Sequence, residues 1–280
     1  MATRRELYNR LQSVASELYD TDEARQIAEM LLLAKGNISR NDLIIEPNKE
    51  MEICDLESII ADLRSWRPVQ YIIGNADFRD MELAVGEGVL IPRPETEELV
   101  EWIATESTEG ATILDVGTGS GAIAIALARE VKDCRVWAMD ISPEALDIAR
   151  SNGKRYAPNV IFVKGDALSD FDKMFEHKFD VVVSNPPYIP QSDVAAMRRN
   201  VVDYEPSTAL FVPDNDPLLF YRSIAQRARK MLNRDGKLYF EIYELLTAEM
   251  IDMLECEGYS DIVLRDDFRG KPRMICATLR

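Results

Sequence analysis

After Gly110 the chain alternates short apolar runs with amphipathic helical patterns, and this alternation restricts the fold more than any other feature. The apolar runs are ATILDVG, CRVWAMD, NVIFVKGD, FDVVVSN and KLYFEI, and two last strands are predicted around Ile262 and Met274. Strands that alternate with helices pair in parallel, so helices cover both faces of the sheet. The sequence therefore predicts a doubly wound α/β domain with about seven mostly parallel strands.

The first part of the chain has a different, purely helical pattern. Apolar residues recur every three or four positions in two sets: Leu7, Leu11, Val14 and Leu18, then Ile27, Met30, Leu31 and Ala34. Thr21 is typical of a helix N-cap and Gly36 of a helix end, and two further helices are predicted over 42–45 and 56–63. No strand-like stretch interrupts them, which predicts a small α-helical domain over residues 1–66.

Residues 69–91 are rich in β-branched and aromatic side chains and are broken by several glycines, a pattern typical of one or two hairpins. We therefore predict a β-hairpin linker over residues 67–92. The larger domain then covers residues 93–280. Pro94 is well placed in the first turn of its opening helix, because proline lacks only an N–H that a helix start leaves free.

Composition limits the partners and the location. With 33 basic and 49 acidic residues the formal net charge is −16, which disfavours binding to a phosphate backbone and favours a basic protein partner. Direct nucleic-acid binding is therefore not expected. The four cysteines lie far apart and there is one histidine, so no metal site is predicted. No apolar run is long enough to span a membrane, and the charged opening MATRRELYNRLQ is unlike a secretory leader. A cytoplasmic protein is expected.

A glycine-rich loop, DVGTGSG, follows the first strand of the larger domain and precedes a helix. Glycines let the backbone turn sharply and approach a ligand, and the helix start presents unpaired N–H groups. The spacing GxGxG differs from the dinucleotide fingerprint GxGxxG and resembles the first motif of methyltransferases. Its candidate binding residues are Gly117, Thr118, Gly119, Ser120 and Gly121. A tight turn without a ligand is the alternative.

Two acidic residues end the next two strands. Asp140 lies nineteen residues beyond Gly121, where a carboxylate can accept hydrogen bonds from both ribose hydroxyls; capping the following helix is its alternative role. Asp166 could receive the amino group of an adenine while the backbone of Ala167 meets the ring. A plain turn role for Asp166 stays equally open.

The fourth strand ends in Asn185, Pro186, Pro187 and Tyr188, on the same carboxyl edge as the glycine loop. Proline has no N–H, so the Asn185 side-chain oxygen and the Pro186 carbonyl can both accept hydrogen bonds from one NH₂ group. Such acceptors can hold a planar amide or amine nitrogen in line with a sulfonium methyl group, and the ring of Tyr188 favours a cationic transition state. We predict catalytic roles for Asn185, Pro186 and Tyr188.

With these motifs the chain resembles the release factor glutamine N5-methyltransferase family, also called the HemK or PrmC family, over nearly its whole length. The segments RPVQYIIGNADFRDMELAVGEGVLIPRPETEELVE and YEPSTALF look like further family signatures. The resemblance implies a Rossmann-like class I methyltransferase that binds S-adenosylmethionine, releases S-adenosylhomocysteine and requires no metal. It places the donor on Gly117 to Gly121 and Asp140, with Asn185 as a further donor-binding residue, and the substrate glutamine on Asn185 to Tyr188.

The resemblance also implies the substrate protein, the GGQ loop of class I peptide chain release factors, with the helical domain helping to dock it. Two departures from the family pattern are Ala167, where relatives often carry an aromatic residue, and EIYELL at 241–246, where EIGYDQ is usual. The first weakens adenine stacking, and the second puts local packing in doubt. The alternatives are an adenine-N6 methyltransferase acting on DNA or RNA and a noncatalytic cofactor-binding module.

Overall fold

A computed structural model describes residues 2–280 and divides them into two structural units. The helical unit contains the residues up to Asn75 together with Met197–Tyr204, and the sheet unit contains Ala76–Ala196 and Glu205–Arg280. The boundaries 1–66, 67–92 and 93–280 stay predictions. The sequence carries no sign that the short segment 197–204 belongs with the helical unit.

Twelve α-helices form among the described residues: α1 Arg4–Ala15, α2 Thr21–Gly36, α3 Arg40–Ile45, α4 Leu56–Arg64, α5 Val69–Ile73, α6 Pro94–Glu106, α7 Ala122–Glu130, α8 Pro143–Tyr156, α9 Arg199–Val202, α10 Ser207–Leu210, α11 Leu219–Met231 and α12 Thr247–Cys256. The strands are β1 Ala2–Thr3, β2 Glu50–Met51, β3 Asn75–Phe78, β4 Met81–Ala84, β5 Thr112–Val116, β6 Arg135–Asp140, β7 Ile161–Lys164, β8 Phe179–Ser184, β9 Ile189–Pro190, β10 Phe211–Val212, β11 Leu232–Glu241, β12 Ser260–Asp266 and β13 Pro272–Thr278.

The helical unit is built on the apolar faces of α1, α2 and α4, which bury Leu11, Leu31 and Leu63 completely. Two details of its sequence-based prediction were wrong. Asp20, not Thr21, caps α2, because its carboxylate accepts hydrogen bonds from two backbone N–H groups of the first turn. A strand also interrupts the helices, since β2 pairs antiparallel with β1, but two residues are too few to leave a periodic signal.

The segment 69–73, predicted as part of a hairpin, forms the short helix α5 instead. Its first residue follows Pro68, and Gly74 ends it with a φ of 98°, a left-handed conformation that glycine adopts readily. Val69 and Ile72 are buried in the core of the helical unit, so packing overrides the strand preference of these β-branched residues. The hairpin that does form consists of β3 and β4.

The sheet unit contains the predicted seven-stranded, mostly parallel sheet, in the order β12-β13-β11-β8-β5-β6-β7. Only β13 runs opposite to the other strands of this sheet, because it pairs antiparallel with both β11 and β12. All five residues of β5 are buried because helices cover both faces. Ile113 packs with α6 and α7 on one face, whereas Leu114 packs with α11 and α12 on the other, as the alternation of side chains along a strand requires.

The order of the strands reverses between β5 and β8. From β5 the chain continues outward through β6 and β7, and it then returns to β8 on the opposite side of β5. In an open α/β sheet the crevice at the carboxyl ends of two such strands is where ligands bind. No helix among residues 2–280 is both long and apolar enough to cross a membrane.

Candidate active site

The two sequence motifs start side by side at this crevice. Val116 at the end of β5 pairs in register with Ser184 at the end of β8, and the Ser184 hydroxyl donates a 2.6 Å hydrogen bond to the Val116 carbonyl. The glycine loop leaves β5 directly after this pair, and Asn185 follows Ser184. The topology thus brings together the glycine loop and the loop that begins at Asn185, the two motifs that the sequence places on one carboxyl edge.

The three glycines of the loop have left-handed backbones, with φ angles of 78° at Gly117, 56° at Gly119 and 86° at Gly121. A Cβ atom on Gly117 or Gly119 would meet no heavy atom within 4 Å, so both border open space. A Cβ on Gly121 would lie 2.8 Å from the end of Ile125 and 3.3 Å from the Cβ of Ala149. The first two glycines therefore leave room for a ligand, and the third lets α7 pack closely against α8.

Beneath the loop, Asp115 is fully buried. The Thr118 hydroxyl donates a 2.6 Å hydrogen bond to one of its carboxylate oxygens, while the other oxygen, Oδ1, has no hydrogen-bond partner among the described residues. Thr118 and Ser120 are themselves buried, and the Thr118 hydroxyl is used inside the loop. An unsatisfied buried polar atom is costly, and one at a ligand-binding loop is available for a hydrogen bond with the ligand.

Burial raises the pKa of Asp115 from its ordinary value of 3.8 to about 7, against the opposing hydrogen bond from Thr118. Between these values the folded protein keeps a proton that the unfolded chain has released, so stability falls as the pH rises. The free energy of unfolding of the wild type, relative to Asp115→Asn, is expected to fall by about 2 kcal/mol between pH 5 and pH 8. Urea titrations in the absence of S-adenosylmethionine measure the free energy of unfolding of the wild type and of Asp115→Asn at each pH. Parallel pH profiles for the two proteins would contradict a raised pKa of Asp115.

Asp140 lies between two loops. One carboxylate oxygen accepts a hydrogen bond from the Gly119 N–H at 2.8 Å, and the other accepts one from the Ser142 N–H at 2.9 Å. Its alternative role as cap of α8 is wrong, because the Ser142 side chain caps that helix through the Ala145 N–H. Asp140 instead fixes the glycine loop to the end of β6.

The loop after β7 lies beside the end of β6, since the Gly165 N–H donates to the backbone carbonyl of Asp140 at 2.9 Å. Asp166 accepts from the Leu168 N–H at 2.8 Å, which is the turn role that the sequence had left open. The Ala167 carbonyl accepts from the Ser223 hydroxyl at 2.6 Å, and the Ala167 side chain packs on the buried cluster that Leu114 forms with α11 and α12.

Two apolar residues in these loops were missed by the sequence analysis. Ile141, directly after Asp140, and Leu168, two residues after Asp166, are 55% and 42% exposed. Exposed apolar side chains beside a ligand crevice provide a surface on which a planar ring can pack. The available signal was an apolar residue one or two positions beyond each of these aspartates, although β7 itself ends at Lys164, two residues before Asp166.

A buried network supports Asn185. Its amide nitrogen, Nδ2, lies 3.4 Å from the Thr96 hydroxyl oxygen, and that hydroxyl donates to a Glu241 carboxylate oxygen at 2.6 Å. The Tyr188 hydroxyl donates to the other carboxylate oxygen at 3.2 Å. Burial raises the pKa of Glu241, while the bond from Thr96 and the positive charge of Arg273 lower it.

Neither Thr96 nor Glu241 was singled out from the sequence. They lie 145 positions apart, and the fold brings them together because α6 begins at Pro94 and β11 pairs with β8. The register of that pair sets Phe240 opposite Ser184, so Glu241 lies beside Asn185. A local motif cannot signal such a contact.

Tyr188 stacks on Tyr243 of the unusual EIYELL segment, with ring centroids 6.0 Å apart and planes 13° apart. The Tyr243 hydroxyl donates to Asp193 at 2.8 Å, in the loop that follows the Asn185 motif. Burial raises the pKa of Tyr188, and the Glu241 charge raises it further, so its hydroxyl keeps its proton as a donor. Tyr243 thus packs against the site in place of the glycine usual in the family pattern.

Glu205 connects the YEPSTALF segment to the turn before α6. Its side chain is 1% exposed and accepts from the Ile91 N–H at 3.1 Å and from Arg93 at 2.6 Å. Replacing Glu205 by alanine leaves a buried N–H without a partner and a partly buried cation unpaired.

Glu205→Ala is therefore expected to lower the free energy of unfolding by about 3 kcal/mol, measured by urea titration. Glu57→Ala is the matched control, because Glu57 also pairs with an arginine but its side chain is 75% exposed. Glu57→Ala is expected to lower the free energy of unfolding by less than about 1 kcal/mol. Equal costs for the two variants would show that burial of the Glu205 pair is unimportant.

No cluster of three or more histidine, cysteine, aspartate or glutamate side chains with the arrangement of a metal site occurs within residues 2–280. The absence of a metal requirement stays a prediction.

Comparison with known proteins gives a family match in each of the two parts of the chain. Residues 9–74 match the family described as PrmC N-terminal domain, and residues 113–204 match the family described as methyltransferase domain. The release factor glutamine methyltransferase of Flavobacterium psychrophilum is 38% identical over 96% of each chain. The enzyme of that name from Bacteroides thetaiotaomicron is 40% identical over 93% of this chain and 95% of its own length.

Among solved structures, a methyltransferase from Pyrococcus furiosus superposes with a TM-score of 0.53 at 20% identity, over 71% of this chain and 89% of its own. Likeness at that level of identity concerns the fold, and it agrees with the Rossmann-like arrangement of the sheet unit.

Proposed function

The chain belongs to the release factor glutamine methyltransferase family, and from this we propose that it methylates the side-chain amide nitrogen, N5, of the glutamine in the GGQ motif of class I peptide chain release factors. It is an S-adenosylmethionine-dependent methyltransferase. The observation that carries the proposal is the pairing of Val116 with Ser184, which starts the glycine loop and the Asn185 loop next to each other.

The residues of the crevice fit the donor. Gly117 and Gly119 border open space, Asp115 has an oxygen without a partner, and the Asp140 carboxylate stands at the end of β6. When bound, S-adenosylmethionine supplies an electrophilic methyl group on a positively charged sulfur. We propose that the backbone from Gly117 to Gly121 holds its amino acid portion and that Asp140 accepts hydrogen bonds from its ribose hydroxyls.

The adenine end of the donor is proposed to lie between the loops after β6 and β7. Asp166 and the backbone of Ala167 are the polar candidates there, and Ile141 and Leu168 are the apolar ones. Because Ala167 has no ring, the exposed side chains of Ile141 and Leu168 replace the stacking surface that an aromatic residue would provide.

The substrate amide is proposed to bind at Asn185. An amide nitrogen is a weak nucleophile because its lone pair is delocalised, so holding it in line with the methyl group is the main contribution of the enzyme. The Asn185 side-chain oxygen and the Pro186 carbonyl each accept one of its two N–H bonds. As the nitrogen gains positive charge these acceptors stabilise it, and the face of the Tyr188 ring adds to this effect.

The release factor is proposed to dock on the helical unit, which corresponds to the PrmC N-terminal domain match. The net charge of −16 complements a partner that is basic because it must bind ribosomal RNA. Absence of direct nucleic-acid binding, absence of a metal and a cytoplasmic location are parts of the same proposal.

The test is transfer of labelled methyl groups from S-adenosylmethionine to a purified class I release factor. A release factor with GGA in place of GGQ and an adenine-containing DNA are the comparison substrates. We expect label only on the GGQ protein, located on the glutamine by mass spectrometry. Label on DNA and none on the release factor would replace the proposed substrate by adenine, and no label on any substrate would favour a noncatalytic cofactor-binding role.

A further inference from the structure

The Asn185 side chain can serve the proposed reaction in only one of its two orientations. Its amide ends in an oxygen and an NH₂ group of nearly the same shape, and rotation by 180° exchanges them. Only the oxygen can accept a hydrogen bond from the substrate NH₂ group. An NH₂ group in that place would face another donor and repel the substrate, so the orientation of Asn185 must be determined by its surroundings.

The hydrogen bonds around Thr96 impose a direction. A carboxylate accepts hydrogen bonds and has none to donate, so the Glu241 oxygen at 2.6 Å takes the single hydroxyl proton of Thr96. The Thr96 hydroxyl oxygen can then only accept a hydrogen bond from its other neighbour, the Asn185 amide. The Asn185 Nδ2 donates to it at 3.4 Å.

The second oxygen of the Glu241 carboxylate also accepts a hydrogen bond. The Tyr188 hydroxyl donates to this oxygen at 3.2 Å, so both oxygens of Glu241 accept hydroxyl protons. Burial raises the pKa of Glu241, and the bond from Thr96 and the positive charge of Arg273 oppose that rise. Arg273 in turn hydrogen-bonds to Glu244 at 3.2 Å. Glu241 is 1% exposed and Thr96 is 5% exposed, so water competes little for these bonds.

We propose that Thr96 and Glu241 are positioning residues that fix the Asn185 amide with Nδ2 toward the protein and Oδ1 toward the substrate. The inference rests on the proposed function, because it concerns the acceptor for the substrate amide. Neither residue touches the reacting atoms. Both act through Asn185, Thr96 directly and Glu241 through the Thr96 proton.

The first test is Thr96→Val, which removes the hydroxyl and nearly preserves the shape of the side chain. Without its acceptor the Asn185 amide rotates freely, and kcat for methylation of the release factor is expected to fall about 30-fold. The KM values for S-adenosylmethionine and release factor are expected to change little. Thr96→Ser keeps the hydroxyl and is expected to restore most of kcat.

The second test repeats Thr96→Val in an Asn185→Ala background, with single-turnover rates for all four enzymes. If Thr96 acts through Asn185, its replacement has no further effect once Asn185 is gone. An equal loss in both backgrounds would overturn the proposal, since a merely structural role does not depend on Asn185. A Thr96→Val enzyme with the wild-type kcat would overturn it as well.

Should Thr96→Val fail to fold, as judged by its melting temperature, Glu241→Gln is the alternative test. The amide of the new glutamine can present its NH₂ group to Thr96, so that the Thr96 hydroxyl donates to Asn185. That arrangement favours the orientation with the Asn185 Oδ1 toward Thr96 and Nδ2 toward the substrate. We expect kcat to fall about tenfold with little change in KM, and an unchanged kcat would contradict the inference. Failure of the proposed function is recognised separately, because the wild-type enzyme would then leave the release factor unlabelled.

Discussion

Replacing Asn185 by alanine is expected to lower kcat for release factor methylation on the order of 1000-fold. The change removes the side-chain oxygen proposed to hold the substrate amide, and it leaves the Pro186 carbonyl as the remaining acceptor. The contact matters most in the transition state, where the N–H bonds become more polar, so kcat falls more than substrate binding. Single-turnover transfer of labelled methyl groups measures the loss.

The Kd for S-adenosylmethionine, measured by isothermal titration calorimetry, distinguishes a role of Asn185 in holding the substrate amide from a role in binding the methyl donor. We expect Kd to change far less than kcat, because the glycine loop and Asp140 are untouched. Asn159→Ala is a matched control, since Asn159 is exposed in the turn before β7, and it is expected to behave like the wild type. A Kd that rises by the same factor as kcat falls would assign Asn185 to donor binding instead.

The sequence predicted the meeting of the two main motifs because both are attached to strand ends. In a parallel sheet the carboxyl ends of all strands lie along one edge, so GTGSG after β5 and NPPY after β8 had to share that edge. The local signals were also strong: three glycines between a strand and a helix, and two prolines after an apolar run. The seven-stranded sheet followed from the alternation of strands and helices.

The support of Asn185 could not be predicted in the same way. Thr96 lies in the first turn of a helix and Glu241 at the end of a strand, and each has an ordinary structural explanation in its own neighbourhood. Their contact exists only because β11 pairs with β8 while α6 covers the adjoining face. Burial is what distinguishes them, since a fully buried glutamate that accepts two hydroxyl protons is rare enough to indicate a role.

The predictions for two short segments were wrong for a related reason. Residues 69–73 are mostly β-branched or aromatic, yet they form a helix because the helical unit offers a core for Val69 and Ile72. The pairing of β1 with β2 involves two residues in each strand. Tertiary packing decides such segments, and a pattern over fewer than about six residues does not reveal it.

Replacing Asp140 by alanine is expected to weaken binding of S-adenosylmethionine about 100-fold, since hydrogen bonds to a charged acceptor contribute roughly 1.5–3 kcal/mol. Two effects add. The proposed acceptor for the ribose hydroxyls disappears, and Gly119 loses the carboxylate that fixes its N–H at 2.8 Å, so the empty loop is less ordered. Calorimetry measures the Kd, and kcat at saturating donor is expected to stay within about tenfold of the wild type, because the acceptor loop after β8 is intact.

Asp140→Asn separates the two effects. Asparagine keeps one acceptor oxygen, which can satisfy the Gly119 N–H while its NH₂ group faces the Ser142 N–H, so the loop is partly held but the charge toward the ribose is lost. If loop order dominates, this variant binds the donor nearly as well as the wild type, and if the ribose contact dominates, it resembles alanine. Asp147→Ala, which removes an exposed carboxylate on α8, controls for the change in net charge and is expected to leave Kd unchanged. A wild-type Kd in both Asp140 variants would remove Asp140 from the donor site altogether and leave it only the structural task of joining the loops after β5 and β6.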